Sequence, residues 1–219
     1  MYDRGTYTLW SQLLGKPVVG PLVDSGIKLK LLPVVLTTWE EWLREHPDTD
    51  VLSLETGYYS PRQYQPEDDP RSIYFQYRNT GETMFPVPLR DARLKTKDYV
   101  LGVTLEGRSR AYPIEVLQRE RLVNDALGGR EIVVVASPSS QEAWVYERRG
   151  QTFRLPPDTP ETGLPPALLD REGRRWSLED DALVLEGNPS ERLDRLPSHV
   201  AYWFGWYAFH ADTDVYPGR

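Results

Sequence analysis

The stretch that decides how this chain is interpreted is TTWEEWLREHPDTDV, residues 37–51, because AYWFGWYAFHADTDV, residues 201–215, repeats its pattern. At a constant offset of 164 residues, nine of the 20 positions in residues 32–51 are identical to those in residues 196–215. The identities include two Trp pairs, a His pair and the Asp-Thr-Asp-Val ending. This pattern indicates an internal duplication, and we call these two segments the first and the second copy.

A short helix is predicted in the first copy. Thr38 and Glu41 stand three residues apart as a capping box, and Pro47 disfavours helix at the residue before it. The face expected to be buried consists of Trp39, Trp42, Leu43 and His46. Ahead of the helix, residues 27–33 alternate apolar and basic side chains, which predicts a half-buried strand. Apolar residues replace the charged outer face in the second copy, so its helix is expected to be buried nearly all round.

The region between the copies is predicted to be rich in strands. YVLGVTLEGRSRAYP, residues 99–113, favours a hairpin that turns at Glu106-Gly107, with a helix that begins at Pro113. Three further patterns predict a turn, a buried strand and a second hairpin, at residues 122–129, 130–136 and 143–153. The chain is therefore predicted to be an α+β protein, predominantly antiparallel β with short helices, that forms a single domain over residues 1–219.

Composition narrows the classes of partner. The 26 basic and 33 acidic residues give a net charge of -7 without a basic block, so nucleic acid is not an expected partner. No run of about 18 apolar residues is present, so membrane insertion is not expected. We expect a soluble cytoplasmic protein, or a secreted one if the natural N-terminus lies upstream of Met1. The absence of Cys removes thiolate metal sites, and few Asn with many Pro indicate a thermophilic source.

The chain also carries a set of family motifs. They are VLGVTLEGRSRAYPIEVL with LVNDALGG and IVVVA, MYDR with LWSQLLGKPVVGPL, and TTWEEWLREHPDTDVLS. Together they resemble DUF3179, a family of prokaryotic proteins known only as a domain of unknown function. The resemblance implies a unit that tends to be doubled, with a Cys-Pro-x-Cys-Gly turn between its halves. On that pattern residues 1–80 are the second half of unit one, and residues 99–219 are a complete unit two.

Two consequences follow from the resemblance. The cysteine turn of unit two falls at SPSSQ, residues 137–141, so both of its thiols are replaced by Ser here. Half a unit exposes sheet edge or apolar surface. We therefore expect a homo-oligomer, such as a homodimer, or a partner chain that supplies the other half of unit one.

The sharpest chemical candidate is the His-x-Asp-x-Asp pattern, which occurs once in each copy. In an extended chain, residues i, i+2 and i+4 point to one side, so an imidazole and two carboxylates can converge on a divalent metal. The alternative is structural, because a His suits a helix C-terminus and Asp-Thr-Asp suits a turn. The candidate metal ligands are His46, Asp48, Asp50, His210, Asp212 and Asp214.

Other candidates are weaker. Asn124-Asp125 offers an acid or base, although Asn-Asp before Gly-Gly is typical of a turn. The serines of SPSSQ lack a Gly-x-Ser-x-Gly elbow, so a hydrolase is poorly supported. Three loop tyrosines, Tyr58, Tyr59 and Tyr64, are a second candidate ligand site.

No catalytic residue is assigned. The favoured hypothesis is therefore a non-catalytic binding or structural module. Its alternative is a metal-binding protein or metal-dependent enzyme that uses the paired His-x-Asp-x-Asp segments.

Overall fold

The computed structural model of the chain describes residues 1–60, 64 and 69–217. Four small sheets, antiparallel in almost every pairing, are joined by short helices. This architecture confirms the predicted fold class. None of the helices in the described ranges has the length and apolar character needed to cross a bilayer.

The N-terminal region begins with an antiparallel sheet of β1 (Tyr2–Asp3), β2 (Thr8–Ser11) and β3 (Lys16–Val19). An irregular segment then leads to helix α1 (Trp39–Glu45). The strand predicted over residues 27–33 does not form, although the structure describes all of these residues. That prediction was wrong because alternation alone cannot create a strand, which needs a neighbour to take its backbone hydrogen bonds.

Helix α1 begins and ends where the capping pattern predicts, but only half of the capping box forms, because the Glu41 carboxylate bonds to Ser and Thr hydroxyls and not to the Thr38 N–H. The Thr38 hydroxyl accepts a hydrogen bond from the Glu41 N–H at 3.2 Å. At the other end, the His46 N–H donates to the Trp42 carbonyl at 2.8 Å, and Pro47 follows outside the helix. Helix α2 (Ile73–Asn79) comes later in the chain.

The centre of the chain is the hairpin of β4 (Tyr99–Leu105) and β5 (Arg108–Pro113). Its two-residue turn, Glu106-Gly107, has φ values of 47° and 76°, as a tight hairpin turn requires. Strand β13 (Ser198–Tyr202) adds to β4 in antiparallel fashion, and β14 (Asp214–Val215) adds to β5 in parallel fashion. The ends of the second copy therefore pair with both edges of this hairpin.

Helix α3 (Ile114–Glu120) begins one residue after the predicted start, with Pro113 as its N-cap. It leads into the antiparallel sheet of β6 (Leu122–Leu127), β7 (Arg130–Ala136) and β8 (Ala143–Glu147). The turn predicted at residues 122–129 was wrong for its first six residues, because β7 pairs with them along their whole length. The second predicted hairpin keeps only its first strand, β8.

A fourth sheet has the order β12-β11-β10-β9, from β9 (Ala167–Leu169), β10 (Arg175–Leu178), β11 (Ala182–Leu185) and β12 (Arg192–Asp194). One core cluster joins β4–β5, α3 and one face of β6–β8, and another joins the opposite face of β7–β8 to this fourth sheet. Helix α4 (Trp203–Phe209) is less buried than predicted, because Phe209 is exposed. Most of the core therefore lies in residues 99–217.

Candidate functional site

Helices α1 and α4, which belong to the two copies, share their local geometry. Each has seven residues and ends on a C-cap His, with φ/ψ of -127°/66° and -133°/61°. Trp42 Nε1 donates to Thr49 Oγ1 at 2.9 Å, and Trp206 Nε1 donates to Thr213 Oγ1 at 2.9 Å. In both copies the His ring packs on that Trp, with ring centroids 4.1 and 3.9 Å apart. The repeated letters thus encode the same hydrogen bonds and the same ring contact.

What covers the two helices is different. Trp203 is 1% exposed, and Trp206 lies so close to β4 that a Cβ on Gly102 would be 2.1 Å from its ring. Trp39, which occupies the position of Trp203, is 52% exposed. The hairpin β4–β5 thus covers α4, whereas no strand pair in the described ranges covers α1 in the same way.

The segments on either side of the helix repeat this contrast. Residues 198–202 form β13 on the edge of β4, whereas the matching residues 34–38 form no strand. Residues 214–215 form β14 on the edge of β5, whereas the matching residues 50–51 are also irregular, and Leu52 beside them is 92% exposed. We call residues 34–38, the Trp39 face of α1 and residues 50–52 the hairpin seat, since their counterparts all pack on one hairpin.

In the first copy, the candidate metal ligands His46, Asp48 and Asp50 are not brought together. His46 lies at a cleft of about 980 Å³ that is also lined by Glu45 and Asp180. Asp48 and Asp50 are exposed. Among the described residues, no group of three or more His, Asp and Glu side chains is placed to hold a metal ion.

The second set has other partners. His210 Nδ1 lies 3.3 Å from Ser109 Oγ, Asp212 is exposed, and Asp214 lies 3.6 Å from Arg110. The side chains of His210, Asp212 and Asp214 therefore do not converge on one point. Metal binding by either set stays a prediction from the sequence.

The loop tyrosines lie on an exposed segment. Tyr58 and Tyr59 are largely exposed, and the Tyr59 and Tyr64 rings meet edge to face with centroids 6.4 Å apart. The neighbouring residues 61–63 and 65–68 lie outside the described residues. Ligand binding at this loop also stays a prediction.

Asn124 and Asp125 lie on strand β6, so their assignment to a turn was wrong. Asn124 exchanges two hydrogen bonds with the backbone of Phe153, at 2.8 and 2.9 Å. Asp125 accepts bonds from Arg110 at 2.6 Å and from the Tyr112 hydroxyl at 2.7 Å. Burial opposes ionisation of Asp125, but these bonds outweigh it and lower its pKa. The Asp125 carboxylate thus joins β6 to β5.

One buried polar cluster was not predicted. Glu41 is 5% exposed, and its carboxylate lies among four hydroxyls. Ser139 and Ser137 donate to Oε1 at 2.5 and 3.1 Å, and Ser140 donates to Oε2 at 2.5 Å. Thr37 Oγ1 lies 3.1 Å from Oε2. These contacts join α1 to the SPSSQ loop after β7.

The sequence did hold a signal for this cluster. Glu41 aligns with Gly205, so the two copies differ where α1 makes a contact that α4 does not make. The loop that contacts Glu41, SPSSQ, follows strand β7, which was correctly predicted to be buried. Glu41 and the SPSSQ loop lie almost 100 residues apart in the sequence, and no local sequence pattern indicates that they are in contact.

The Glu41 cluster predicts a dependence of stability on pH. Burial disfavours the charged form of Glu41, but the bonds from the Ser and Thr hydroxyls outweigh it and lower its pKa below the ordinary 4.5. A lowered carboxyl pKa stabilises the folded state above pH 4.5, and this contribution is lost as the pH falls through the folded-state pKa. Nearby Glu142 acts in the opposite direction, because burial raises its pKa.

We expect Glu41→Gln to lower the free energy of unfolding by about 2 kcal/mol at neutral pH, since a carboxylate accepts these bonds more strongly than an amide. The deficit should shrink as the pH falls below 4.5. Urea unfolding between about pH 3 and pH 7 measures it, with Glu40→Gln on the exposed face of α1 as the control. A deficit that stays constant over this range would contradict the assigned role of the charge.

The chain was also compared with known proteins. A family model described as "Protein of unknown function (DUF3179)" matches residues 1–213. No curated protein and no solved structure matches the chain. The description of the family names no substrate, ligand or partner, so a function has to be argued from the geometry.

Proposed function

The chain belongs to the DUF3179 family of proteins of unknown function, and from this premise we propose that it is a non-catalytic binding module that receives a β-hairpin from a partner polypeptide. The hairpin docks on the hairpin seat, and this completes a unit of which residues 1–80 are the second half. The observation that carries the proposal is the contrast between Trp39, which is 52% exposed, and Trp203, which is 1% exposed.

The occupied helix α4 indicates what the partner hairpin looks like. Because Trp206 fills the space above Gly102, the partner needs a residue without a bulky side chain above Trp42. Because Arg110 lies 3.6 Å from Asp214, the partner needs a basic residue near Asp50. One of its strands then pairs with residues 34–38, as β4 pairs with β13.

The surface of the seat is apolar enough to be an interface. Val34, Trp39, Val51 and Leu52 are all exposed large apolar residues on the three segments of the seat. Single exposed apolar side chains are ordinary on a protein surface, but a group of them marks an interaction site. Apart from the Val34 N–H and the Thr38 carbonyl, the backbone of residues 34–38 makes no backbone hydrogen bond within the described residues, so a strand can pair with it.

A second molecule of this chain is a poor source of the hairpin. In each molecule, β4–β5 already carries α4 on its face and β13 and β14 on its two edges. Donating the hairpin would require removal of these elements. We therefore favour a partner polypeptide over a homodimer through this seat.

The contact between the two copies supports their common origin. The Val34 N–H donates to the Ser198 carbonyl at 3.2 Å, and these two residues are equivalent at the offset of 164. Contacts between equivalent positions are typical of an approximate two-fold axis. A hairpin on the seat would complete such a pair of units.

Calorimetric titration of the full chain with a synthetic hairpin tests the proposal. The probe is residues 97–114 of this chain with Glu106→Asn, which favours the two-residue turn. We expect one site with a Kd of roughly 10–100 µM, equivalent to about -6 kcal/mol. NMR would first establish that the probe is a folded hairpin.

Two matched controls accompany this titration. The probe with Gly102→Val, which places a side chain where Trp42 has to lie, should not bind. The chain with Trp39→Asp should bind the original probe at least about tenfold more weakly. Equal binding of both probes, or no binding of the original up to about 1 mM, would overturn the proposal. A stable homodimer that buries Trp39 would also overturn it.

A further inference from the structure

A second buried acidic side chain, Glu142, lies beside the Glu41 cluster. Glu142 directly precedes β8 and is 3% exposed. Its Oε1 accepts a hydrogen bond from Trp144 Nε1 at 3.0 Å, and its Oε2 lies 2.9 Å from Thr37 Oγ1. The same Thr37 oxygen lies 3.1 Å from Oε2 of Glu41. One hydroxyl group is thus within hydrogen-bond distance of two buried carboxyl groups.

This arrangement contains too few hydrogens for two charged carboxylates. A Thr hydroxyl carries one hydrogen, which it donates to one acceptor, while its oxygen can accept from another donor. If Glu41 and Glu142 were both ionised, Thr37 would donate to one of them. Its oxygen would then face an oxygen of the other carboxylate with no hydrogen between them. A proton on one of the two carboxyl groups supplies the missing hydrogen.

The hydrogen-bond donors around each carboxyl group decide which of them carries that proton. Three serine hydroxyls of the SPSSQ loop donate to Glu41, and such bonds stabilise its charged form. Apart from Thr37, the donor that Glu142 receives is the ring N–H of Trp144. Glu41 therefore keeps the charge, and Glu142 keeps the proton.

The charges on α1 act on Glu142 in the same direction. Burial is the largest effect that raises the pKa of Glu142, and the negative charges of Glu45 and Glu41 add to it. The bond from Trp144 opposes these effects without cancelling them. A neutral acid is thus the favoured form on this side of Glu142.

The groups on the other side do not neutralise a charged Glu142. Arg195, which follows β12, carries a positive charge that acts on Glu142, but its guanidinium is held elsewhere. It lies over the Trp144 ring, 3.9 Å from the ring centroid, and donates to the Asp180 carbonyl at 3.1 Å. The neighbouring Tyr146 is uncharged, because burial raises the pKa of its hydroxyl. A buried carboxylate without an ion pair is costly.

We propose that Glu142 is a buried carboxylic acid that donates its proton to Thr37, which in turn donates to the Glu41 carboxylate, so that pH controls the attachment of α1 to the start of β8. When Glu142 loses its proton, two negative charges face one hydroxyl and the bond to Thr37 is lost. Thr37 directly precedes the N-cap of α1, so this loosens the start of the helix. Thr37 also belongs to the hairpin seat, but the switch consists of contacts within the chain and needs no partner.

The dependence of stability on pH has the opposite sign to that of Glu41. The folded state raises the pKa of Glu142 above the ordinary 4.5. Its stabilising contribution is therefore complete below pH 4.5 and is lost as the pH rises through the folded-state pKa. The two carboxyl groups together make the attachment of α1 strongest at intermediate pH.

NMR titration of the full chain, with ¹³C at the side-chain carboxyl carbon of Glu, tests the inference between about pH 3 and pH 9. Glu142→Gln removes one resonance and so assigns it. We expect the Glu142 resonance to titrate above pH 4.5 and the Glu41 resonance below it. Titration of Glu142 at or below pH 4.5 would overturn the inference. This measurement uses the wild-type chain without a hairpin probe, so its failure is distinct from failure of the proposed function.

Thr37→Val determines the direction of the bond between Thr37 and Glu142. If Glu142 donates to Thr37, the variant removes the acceptor of the neutral acid, so the titration midpoint of Glu142 should fall. If Thr37 donates to Glu142 instead, the midpoint should rise, and this result would also overturn the inference. Thr104→Val, at an exposed position on β4, is the matched control and should leave the midpoint unchanged.

Glu142→Gln provides a second test, because it mimics the neutral acid at every pH. Its amide can donate to Thr37 and accept from Trp144. Relative to the wild type, the variant should gain stability as the pH rises from about 4 to about 9, which is the reverse of the dependence expected for Glu41→Gln. Urea unfolding measures this difference. A difference that stays constant, or that becomes less favourable to the variant as the pH rises, would contradict the proposed switch.

Discussion

Gly102→Val is expected to lower the free energy of unfolding by roughly 3 kcal/mol, because there is no room for a Cβ at this position. A Cβ there would lie 2.1 to 2.5 Å from three carbon atoms of the Trp206 ring. Trp206 is buried and its Nε1 is bonded to Thr213, so the ring cannot move without loosening α4. Urea unfolding followed by Trp fluorescence measures the effect.

Gly205→Ala is the matched control for Gly102→Val. Gly205 lies within α4, and nothing lies within 4 Å of a Cβ built there. Replacement should raise the free energy of unfolding by about 0.5–1 kcal/mol, because Ala favours helix more than Gly does. A Gly102→Val variant as stable as the wild type would show that Trp206 does not pack on β4 as described.

Trp203→Ala is expected to cost about 3–5 kcal/mol of unfolding free energy, whereas Trp39→Ala should cost less than about 1 kcal/mol. Trp203 is buried, and its Nε1 donates to the Asp91 carbonyl at 2.9 Å. Trp39 holds the same place in the repeated pattern and is half exposed. The two variants remove the same side chain from the same position in two copies, so each serves as the control of the other.

Equal losses in the two Trp variants would contradict the account. They would mean that Trp39 is covered in the isolated chain and that no seat exists. Denaturant unfolding measures both variants under the same conditions, and far-UV circular dichroism would establish that each has a folded baseline.

Local signals in the sequence predicted local structure well. The capping box at Thr38 gave the start of α1, and Glu106-Gly107 gave the hairpin turn, because in both cases the deciding contacts lie within four residues. Predictions that depended on distant partners were less successful. Asn124-Asp125 is favourable in a turn, yet pairing with β7 holds both residues in a strand. Tertiary pairing overrides such preferences.

The inward face of α1 illustrates another limit. Helical spacing predicted a buried face that includes Trp39, and for Trp39 this was wrong, because its side chain is 52% exposed. Trp42 on the same face packs on the His46 ring. The spacing of apolar residues shows that one face of a helix is apolar, but it does not show whether the same chain packs against that face. The failed strand at residues 27–33 is a similar case, since its alternation is real and its neighbour is lacking in the described ranges.

The candidate sites were harder still to predict. The Glu41 cluster joins a residue of the N-terminal region to serines almost 100 positions away. No motif spacing reports such contacts.

Hydrogen–deuterium exchange of the full chain, with and without the hairpin probe, tests the central claim most directly. The account predicts that the amides of residues 35–38 and 50–52 exchange fast in the free chain and slow markedly when the probe binds, since pairing with a strand protects them. Residues 198–202 should be slow in both states, because β4 already pairs with them. Protection by the probe that appears elsewhere, or residues 35–38 as slow as 198–202 in the free chain, would contradict it.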